Sequence, residues 1–416
     1  MHPTGREADD VRMRGFAQRH TVDAALAWLD AQLQPLTAEM VPLRAAAGRV
    51  LAASVVSDVD VPGFDRAMMD GYAVISDSTE GASAYTPLQL KVVGESMPGC
   101  PFCGLVRKGE AVRIMTGAPM PDGTDSVLPA EWIGAEADGL NLIVALAAVS
   151  PGKHVGQRGE DITKGSTLLE PGRVLRPQDL GVLSSIGRGE VQVVRRPRVR
   201  LAVTGNELLP SGTRPRGFCI ADANGPMLAA LIDRDGGIVD FPGLVKDDRD
   251  AILEALHSEA DIVIVSGGTS VGIEDLAPML VAQYGELAVH GIAMRPSSPT
   301  GLGRIDNKIV VLLPGNPVSS LCAYDFFAGR AIRALGGRGK EWPYRAVCGR
   351  LNRKISSPIG RLDYARVRIA EGLVEPLAVT GASVLSSTTR ADGFVIVSED
   401  NEGFPAGAEV EVWLYA

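Results

Sequence analysis

The 416-residue chain is 45% hydrophobic and 22% charged, the profile of a globular protein with apolar material for several cores. A formal net charge of −9 argues against a duplex nucleic acid partner, whose affinity rests on neutralised phosphates. No apolar run approaches the roughly 18 residues of a membrane helix, and the start MHPTGREADDVRMRGFAQRH is charged throughout, so neither a membrane partner nor a secretory signal is expected.

At this length about three or four domains are expected, and 48 glycines with 27 prolines forecast many tight turns. Thr21 precedes VDAALAWLDAQL, where Val22, Leu26, Leu29 and Leu33 recur at helical spacing behind an N-cap. Between 72 and 150 the runs LQLKVVGE, AVRIMTG, DSVLPAEW and LNLIVALAAV are short, β-like and separated by Gly/Pro turns, the text of a small β domain. Within it Cys100 and Cys103 form a CxxC in GCPFCG. No second pair stands at metal spacing, so a surface turn is the reading, and five cysteines, an odd number, suit a reducing cytoplasm. The arginines of RRPRVR read as a solvated entry to a strand, and the scattered histidines carry no metal spacing.

From RVRLAVTG onward, apolar runs of five or six alternate with helical segments, the pattern of a doubly wound parallel α/β sheet. After GGRGKEWP the text returns to β (AVCGRLNRKI, YARVRIA, GFVIVSED, AEVEVWLYA), a final small barrel or sandwich. The expected division is a linking domain from 18–61 and 151–197, a β domain at 62–150, an α/β ligand-binding domain at 198–340 and a C-terminal β barrel at 341–416.

In such sheets ligands sit at the carboxyl ends of the strands. Three strand ends carry unusual chemistry: LAVTGNEL, with Asn206 and Glu207; DIVIVSGGTSVGIED, with Gly267, Gly268, Ser270 and Asp275; and IVVLLPGNPVSS, with Pro314, Gly315, Pro317 and Ser319. Adjacent glycines let backbone N–H groups close on an anion, and Asn316 as N-cap with Pro317 at N1 opens a helix whose first turn also favours one. Each loop alone has a plainer reading: a tight turn, an ordinary cap, acids at a helix start. Together, a phosphate cradle without lysine but with carboxylates requires a divalent cation, and Mg²⁺ is held by one or two carboxylates plus substrate phosphates. The loop is therefore expected to hold a pyrophosphate, with metal in the place of a lysine.

DVPGFDRAMMDGYAV, AVRIMTGAPMPDGTDSVLPAE, RGEDI, TGNEL, DIVIVSGGTSVGIED and LLPGNPVSS follow one another over nearly the whole chain as in the MoeA family of molybdopterin molybdenumtransferases, to which the gephyrin E domain also belongs. The resemblance implies an elongated four-domain homodimer. It also implies insertion of molybdate into the dithiolene of adenylylated molybdopterin with release of AMP, using Mg²⁺. Position by position, it makes Asp70, Thr116, Asp161 and Glu207 the functional polar residues and places Asp222 and Asp275 at nucleotide and metal. The first three would act across the subunit interface. A molybdopterin adenylyltransferase and a molybdoenzyme or chaperone are the implied partners. The plainer readings are a turn former for Asp70, a strand end for Thr116 and a cap for Asp161.

The chain departs from the family where molybdate would bind. In AMRPSSPTG, Arg295 and Ser298 stand in place of two lysines, with Ser319 and Arg361 of GRLDYARVR completing the expected molybdate contacts. Arginine keeps its charge with a planar fork of donors. Losing a cation at Ser298 forfeits up to roughly 4 kcal/mol at ~4 Å and an effective dielectric near 20, before desolvation. Asn206, Leu276 and Ala382 also differ from common family residues, and Ala382 puts the role of Ser383 in question. Competing readings are a nucleotide pyrophosphatase sharing the α/β domain, which would lack the MDGYA and RIMTGAP elements, and a non-catalytic cofactor carrier or scaffold.

Overall fold

The computed structural model describes residues 19–134, 141–268, 276–378 and 383–415. The chain forms two compact units. One comprises Met1–Met40, Gly48–Ala52 and Gln192–Ala416, and the other Val41–Ala47 and Ala53–Val191.

Helix α1 (Val22–Gln32) starts where its cap predicts, with the Ala24 N–H donating to Thr21 Oγ1 at 3.1 Å. Val22, Ala25 and Leu29 form its buried face and join the core that holds Leu228, Ile232 and Phe327. This helix is therefore packed into the α/β core.

The second unit is built on a five-stranded sheet of β1 (Gly71–Val74), β2 (Leu88–Ser96), β3 (Glu110–Ile114), β4 (Ser126–Pro129) and β5 (Leu142–Ala145), in the order β4-β1-β3-β2-β5. The central strand β1 is buried on both faces, since successive side chains alternate. Tyr72 and Val74 face a core with Leu90, Leu128 and Ile143, while Ala73 faces Ile114 and Val127. Helix α2 (Pro177–Ser185) closes this unit. Its first turn is fixed by buried Asp179, which accepts from Arg173 Nε at 2.9 Å and Arg173 Nη2 at 2.8 Å.

In the first unit, strands β6 (Arg198–Thr204), β7 (Ile238–Asp240), β8 (Leu244–Val245) and β9 (Ile262–Ser266) alternate with helices α3 (Asn224–Arg234) and α4 (Arg249–Leu256). Then come α5 (Leu276–Tyr284), β10 (Glu286–His290), β11 (Met294–Arg295), β12 (Gly301–Ile305) and β13 (Lys308–Leu313). Helix α6 (Pro317–Ala323) continues through a π turn at Tyr324–Ala328 into α7 (Gly329–Leu335). The sheet order is β7-β6-β9-β13-β12-β10, with β8 also on β6. Strand β9 buries Ile262 and Ile264 on the face of α3 and α7, and Val263 and Val265 on the face of α4 and α5, so the sheet is wound on both sides.

The strand–helix alternation predicts a wholly parallel sheet, and the observed sheet is mixed. Strands β7, β6, β9 and β13 are parallel, but β12 and β10 run antiparallel at the far edge. Glycines hide this pair in the sequence: a Cβ on Gly303 would sit 2.4 Å from the Glu286 carbonyl oxygen. Close backbone approach demands glycine there and erases the β-branched strand signal.

The C-terminal strands β14 (Arg345–Leu351), β15 (Leu362–Ala370), β16 (Leu373–Ala378), β17 (Gly393–Val397) and β18 (Glu409–Leu414) pair in the cycle β15-β16-β14-β18-β17-β15. Because β15 also pairs with β17, the cycle closes into the expected barrel, filled by Val367, Val374, Val395 and Val412. Strand β11 adds to it in parallel, placing Arg295 opposite Asp363.

Candidate active site

A cavity of about 540 Å³ opens at the carboxyl ends of β6, β9 and β13, where the sheet's topology puts ligands. Its wall carries Glu207, Asp222, Gly267, Gly268, Pro314, Gly315 and Pro317, so the sequence-predicted residues from three separate loops converge there. Ser270 and Asp275 lie outside the described residues.

Close packing dictates the glycines. Gly267 has φ 98°, and a Cβ on it would lie 2.2 Å from the Thr204 carbonyl oxygen. Its N–H donates to the Leu313 carbonyl at 3.2 Å, which ties the loop after β9 to the end of β13. A Cβ on Gly315 would sit 3.5 Å from Gly267 Cα, so the two loops are in contact. Pro317 starts α6 as expected, but the Asn316 side chain makes no capping hydrogen bond. Asn224 takes over the bracing from the opposite side: its Nδ2 donates to the Gly315 carbonyl at 2.8 Å and to Ser266 Oγ at 3.0 Å.

Asp222 is buried, and its Oδ1 accepts the Gly225 N–H at 2.9 Å, fixing the first turn of α3. Gly225 is needed beside it, since a Cβ there would lie 2.2 Å from Asp222 Oδ2. Asp247 also lines the cavity, next to Gly268. Two further lining atoms, Thr204 Oγ1 and Asn224 Oδ1, are buried without a hydrogen-bond partner among the described residues. Thus the described wall carries three carboxylates, two unpartnered oxygens and no lysine or arginine. No cluster of three or more His, Cys, Asp or Glu that could hold a metal unaided occurs among the described residues. Thr204, Asn224 and Asp247 were not singled out from sequence. The only available signal was their position within or beside the strand ends and the ADAN stretch.

The residues expected to meet molybdate do not line this cavity. Arg295 and Arg361 converge instead on the fully buried carboxylate of Asp363, with Arg295 Nη2 donating to Oδ2 and Arg361 Nε 3.2 Å from Oδ1. Ser319 is buried in the first turn of α6, and its carbonyl accepts from Ser297 Oγ at 2.5 Å. The turn that carries Ser298 therefore runs from the arginine pair to Pro299, which is part of the cavity wall. Asp363 too was missed. Its sequence signal was only proximity to Arg361.

In the second unit, Asp70 and Thr116 are brought together. Asp70 Oδ1 accepts from the Thr116 N–H and from Thr116 Oγ1, both at 2.7 Å. These bonds, the backbone one first, hold the exposed Asp70 carboxyl below its ordinary range. Asp70 borders a hollow of about 310 Å³ with Tyr72, Arg113 and Met115. Asp161 is exposed in a neighbouring turn and is not part of that wall; its N–H donates to the Val61 carbonyl at 3.1 Å. The loop around it is held by Asp60, which accepts from the Lys164 N–H and Arg158 Nε, both at 2.7 Å. Cys100 and Cys103 are exposed, and Cys100 closes a backbone turn with Met97.

A two-sided α/β domain with a strand-end cavity, a separate β unit and a small barrel define a multidomain α/β and β fold with a ligand-sized cavity. Residues 20–187 match the MoeA N-terminal region (domain I and II), 201–334 the Probable molybdopterin binding domain, and 349–415 the MoeA C-terminal region (domain IV). Molybdopterin molybdenumtransferase 2 of Mycobacterium tuberculosis is 33% identical over 392 residues, 91% of this chain and 95% of that protein. The molybdopterin molybdenumtransferase of Haemophilus influenzae is 33% identical over 405 residues, 94% and 98% of the two chains. A crystal structure of a MoeA molybdopterin biosynthesis protein from Pyrococcus horikoshii superposes with a TM-score of 0.82 at 34% identity, covering 96% of this chain and 100% of that one. The chain belongs to the MoeA family of molybdopterin molybdenumtransferases, enzymes of molybdenum cofactor biosynthesis. No helix among the described residues is long and apolar enough to cross a membrane.

Proposed function

We propose that this enzyme binds adenylylated molybdopterin with its diphosphate against Gly267, Gly268 and the Pro314–Pro317 loop, inserts molybdate at the dithiolene and releases AMP. One observation carries the reading: a cavity floored by glycine backbone and walled by Glu207, Asp222 and Asp247, with no described lysine or arginine. A diphosphate among three carboxylates is repelled unless a cation lies between them. Mg²⁺ fits this donor set, because it takes one or two carboxylates and completes its shell with phosphate oxygens and water. Asp222 and Asp275 would hold it. When bound, it neutralises the charge that builds on the leaving AMP phosphate.

The chain's own groups do the rest. Main-chain amides of the two loops orient the diphosphate, and Asn224 keeps the loops in contact through Gly315. Glu207, on the wall, would manage protons at the broken anhydride. Arg295, Ser298, Ser319 and Arg361 would take the oxyanion from the side of Pro299. Asp70, held ionised by Thr116, would serve with Asp161 in the cavity of a second subunit, making the homodimer the functional form. The four-part domain division set out above belongs to the same proposal. A molybdopterin adenylyltransferase would deliver the substrate, and a molybdoenzyme or its chaperone would receive the product, in the cytoplasm.

A single-turnover assay with adenylylated molybdopterin, molybdate and Mg²⁺ tests this. Molybdate-dependent AMP release together with an active cofactor is the expected result. AMP release that ignores molybdate would make the protein a pyrophosphatase, and no AMP release would make it a carrier.

A further inference from the structure

The pairing of β11 with β15 places Arg295 beside Asp363, and Arg361 precedes the same strand. Asp363 is fully buried, while the two guanidinium side chains remain 26% and 29% exposed. Two cations and one carboxylate leave a net charge of about +1 at this spot. Arg295 Nε and Ser298 Oγ are buried without a hydrogen-bond partner among the described residues, and Arg361 Nε lies 3.2 Å from Asp363 Oδ1. Buried donors left unmade beside a net cation are costly, and an oxyanion would satisfy them.

We infer that Asp363 is an affinity-limiting counter-charge for the oxyanion: it orients both arginines while cancelling one of their two charges. The inference rests on the placement of molybdate at Arg295 and Arg361 proposed above. Its logic is kinetic. An oxyanion held too tightly before reaction deepens the ground state and raises no rate, so binding is better reserved for the transition state. Asp363 keeps the arginines ordered by ion pairs inside the fold, and leaves the Arg295 Nε–H and Ser298 to read the tetrahedral ligand. In this role Asp363 is a positioning residue, separate from the groups that touch substrate.

Molybdate titration calorimetry on the full-length protein, with steady-state kinetics, tests the idea. Asp363→Asn preserves shape and an acceptor for Arg295 but removes the charge. It should tighten molybdate binding by about threefold or more and lower KM for molybdate without raising kcat. A purely structural carboxylate would give unchanged or weaker binding, and that result overturns the inference. If Arg295→Gln and Arg361→Gln both leave molybdate affinity unaltered, the molybdate placement itself is wrong. If they weaken it while Asp363→Asn fails to tighten it, only the counter-charge is wrong. Should Asp363→Asn not fold, the double variant Arg295→Gln/Asp363→Asn serves, because it removes one charge of each sign and keeps the net charge of the cluster at about +1. It should recover about threefold or more of the affinity lost in Arg295→Gln alone; no recovery contradicts the proposal.

Discussion

The amide of Asn224 has only one workable orientation. The Gly315 carbonyl accepts but never donates, so the nitrogen must face it, and Oδ1 is left as an acceptor on the cavity wall. A ligand N–H or O–H, or a metal-bound water, is what such an atom awaits. Asn224→Ala would strand the Gly315 carbonyl and leave Ser266 Oγ with only its 3.5 Å contact to Ser320 Oγ, a loss on the order of 1–3 kcal/mol in urea unfolding, accompanied by weaker AMP binding. Unchanged stability would show that the Gly315 loop is braced by something else. None of this is visible in the letters ADAN, where an asparagine at a helix start reads as routine capping. Asp363 was illegible for the same kind of reason: its partner Arg295 is 68 residues away and reaches it only through a strand pairing.

At the scale of elements, what reads from sequence is whatever local chemistry decides. Thr21 caps α1, apolar runs mark β6, β9 and β13, and Gly/Pro-rich loops end them, so the convergence of three loops at one sheet edge follows from alternation alone. The antiparallel strands β10 and β12 escape because their close approach selects glycine over strand formers. The contact between the helical run α6–α7 and the barrel was equally hidden. There Asp325 is fully enclosed, accepting from Tyr344 Oη at 2.8 Å and lying 3.5 Å from Arg234 Nη2. Beside it Asp235 accepts from Tyr324 Oη at 2.9 Å and pairs with Arg333 at 3.1 Å. Burial pushes the Asp325 carboxyl up to about 6, against the pull of Arg234. With its folded value above its unfolded one, Asp325 holds a proton in the native state that the unfolded chain has lost. Its contribution to stability is therefore complete below the ordinary carboxylate range and drains away as pH rises through about 6. Urea unfolding should then shift in favour of Asp325→Asn relative to the natural protein between about pH 4 and pH 7. A stability difference independent of pH would contradict this.

For the whole molecule, the residues proposed to act together lie in different compact units: Glu207, Asp222 and the glycine loops in one, Asp70 and Thr116 in the other. Family membership spans both, since the matched regions run from 20 to 415. Arg295 and Ser298, which differ from the family's lysines, fall where the oxyanion is proposed to bind, whereas the SGG and PGNP stretches proposed to grip the diphosphate keep the family text. The central claim is that a cavity with no lysine or arginine among its described residues grips a diphosphate by main-chain amides, with acids recruiting the metal. A crystal structure of the protein soaked with AMP, Mg²⁺ and tungstate tests it most directly. The account predicts the AMP phosphate against Gly267, Gly268 and Gly315, with the metal between it and Asp222. Nucleotide density away from those glycines would contradict it.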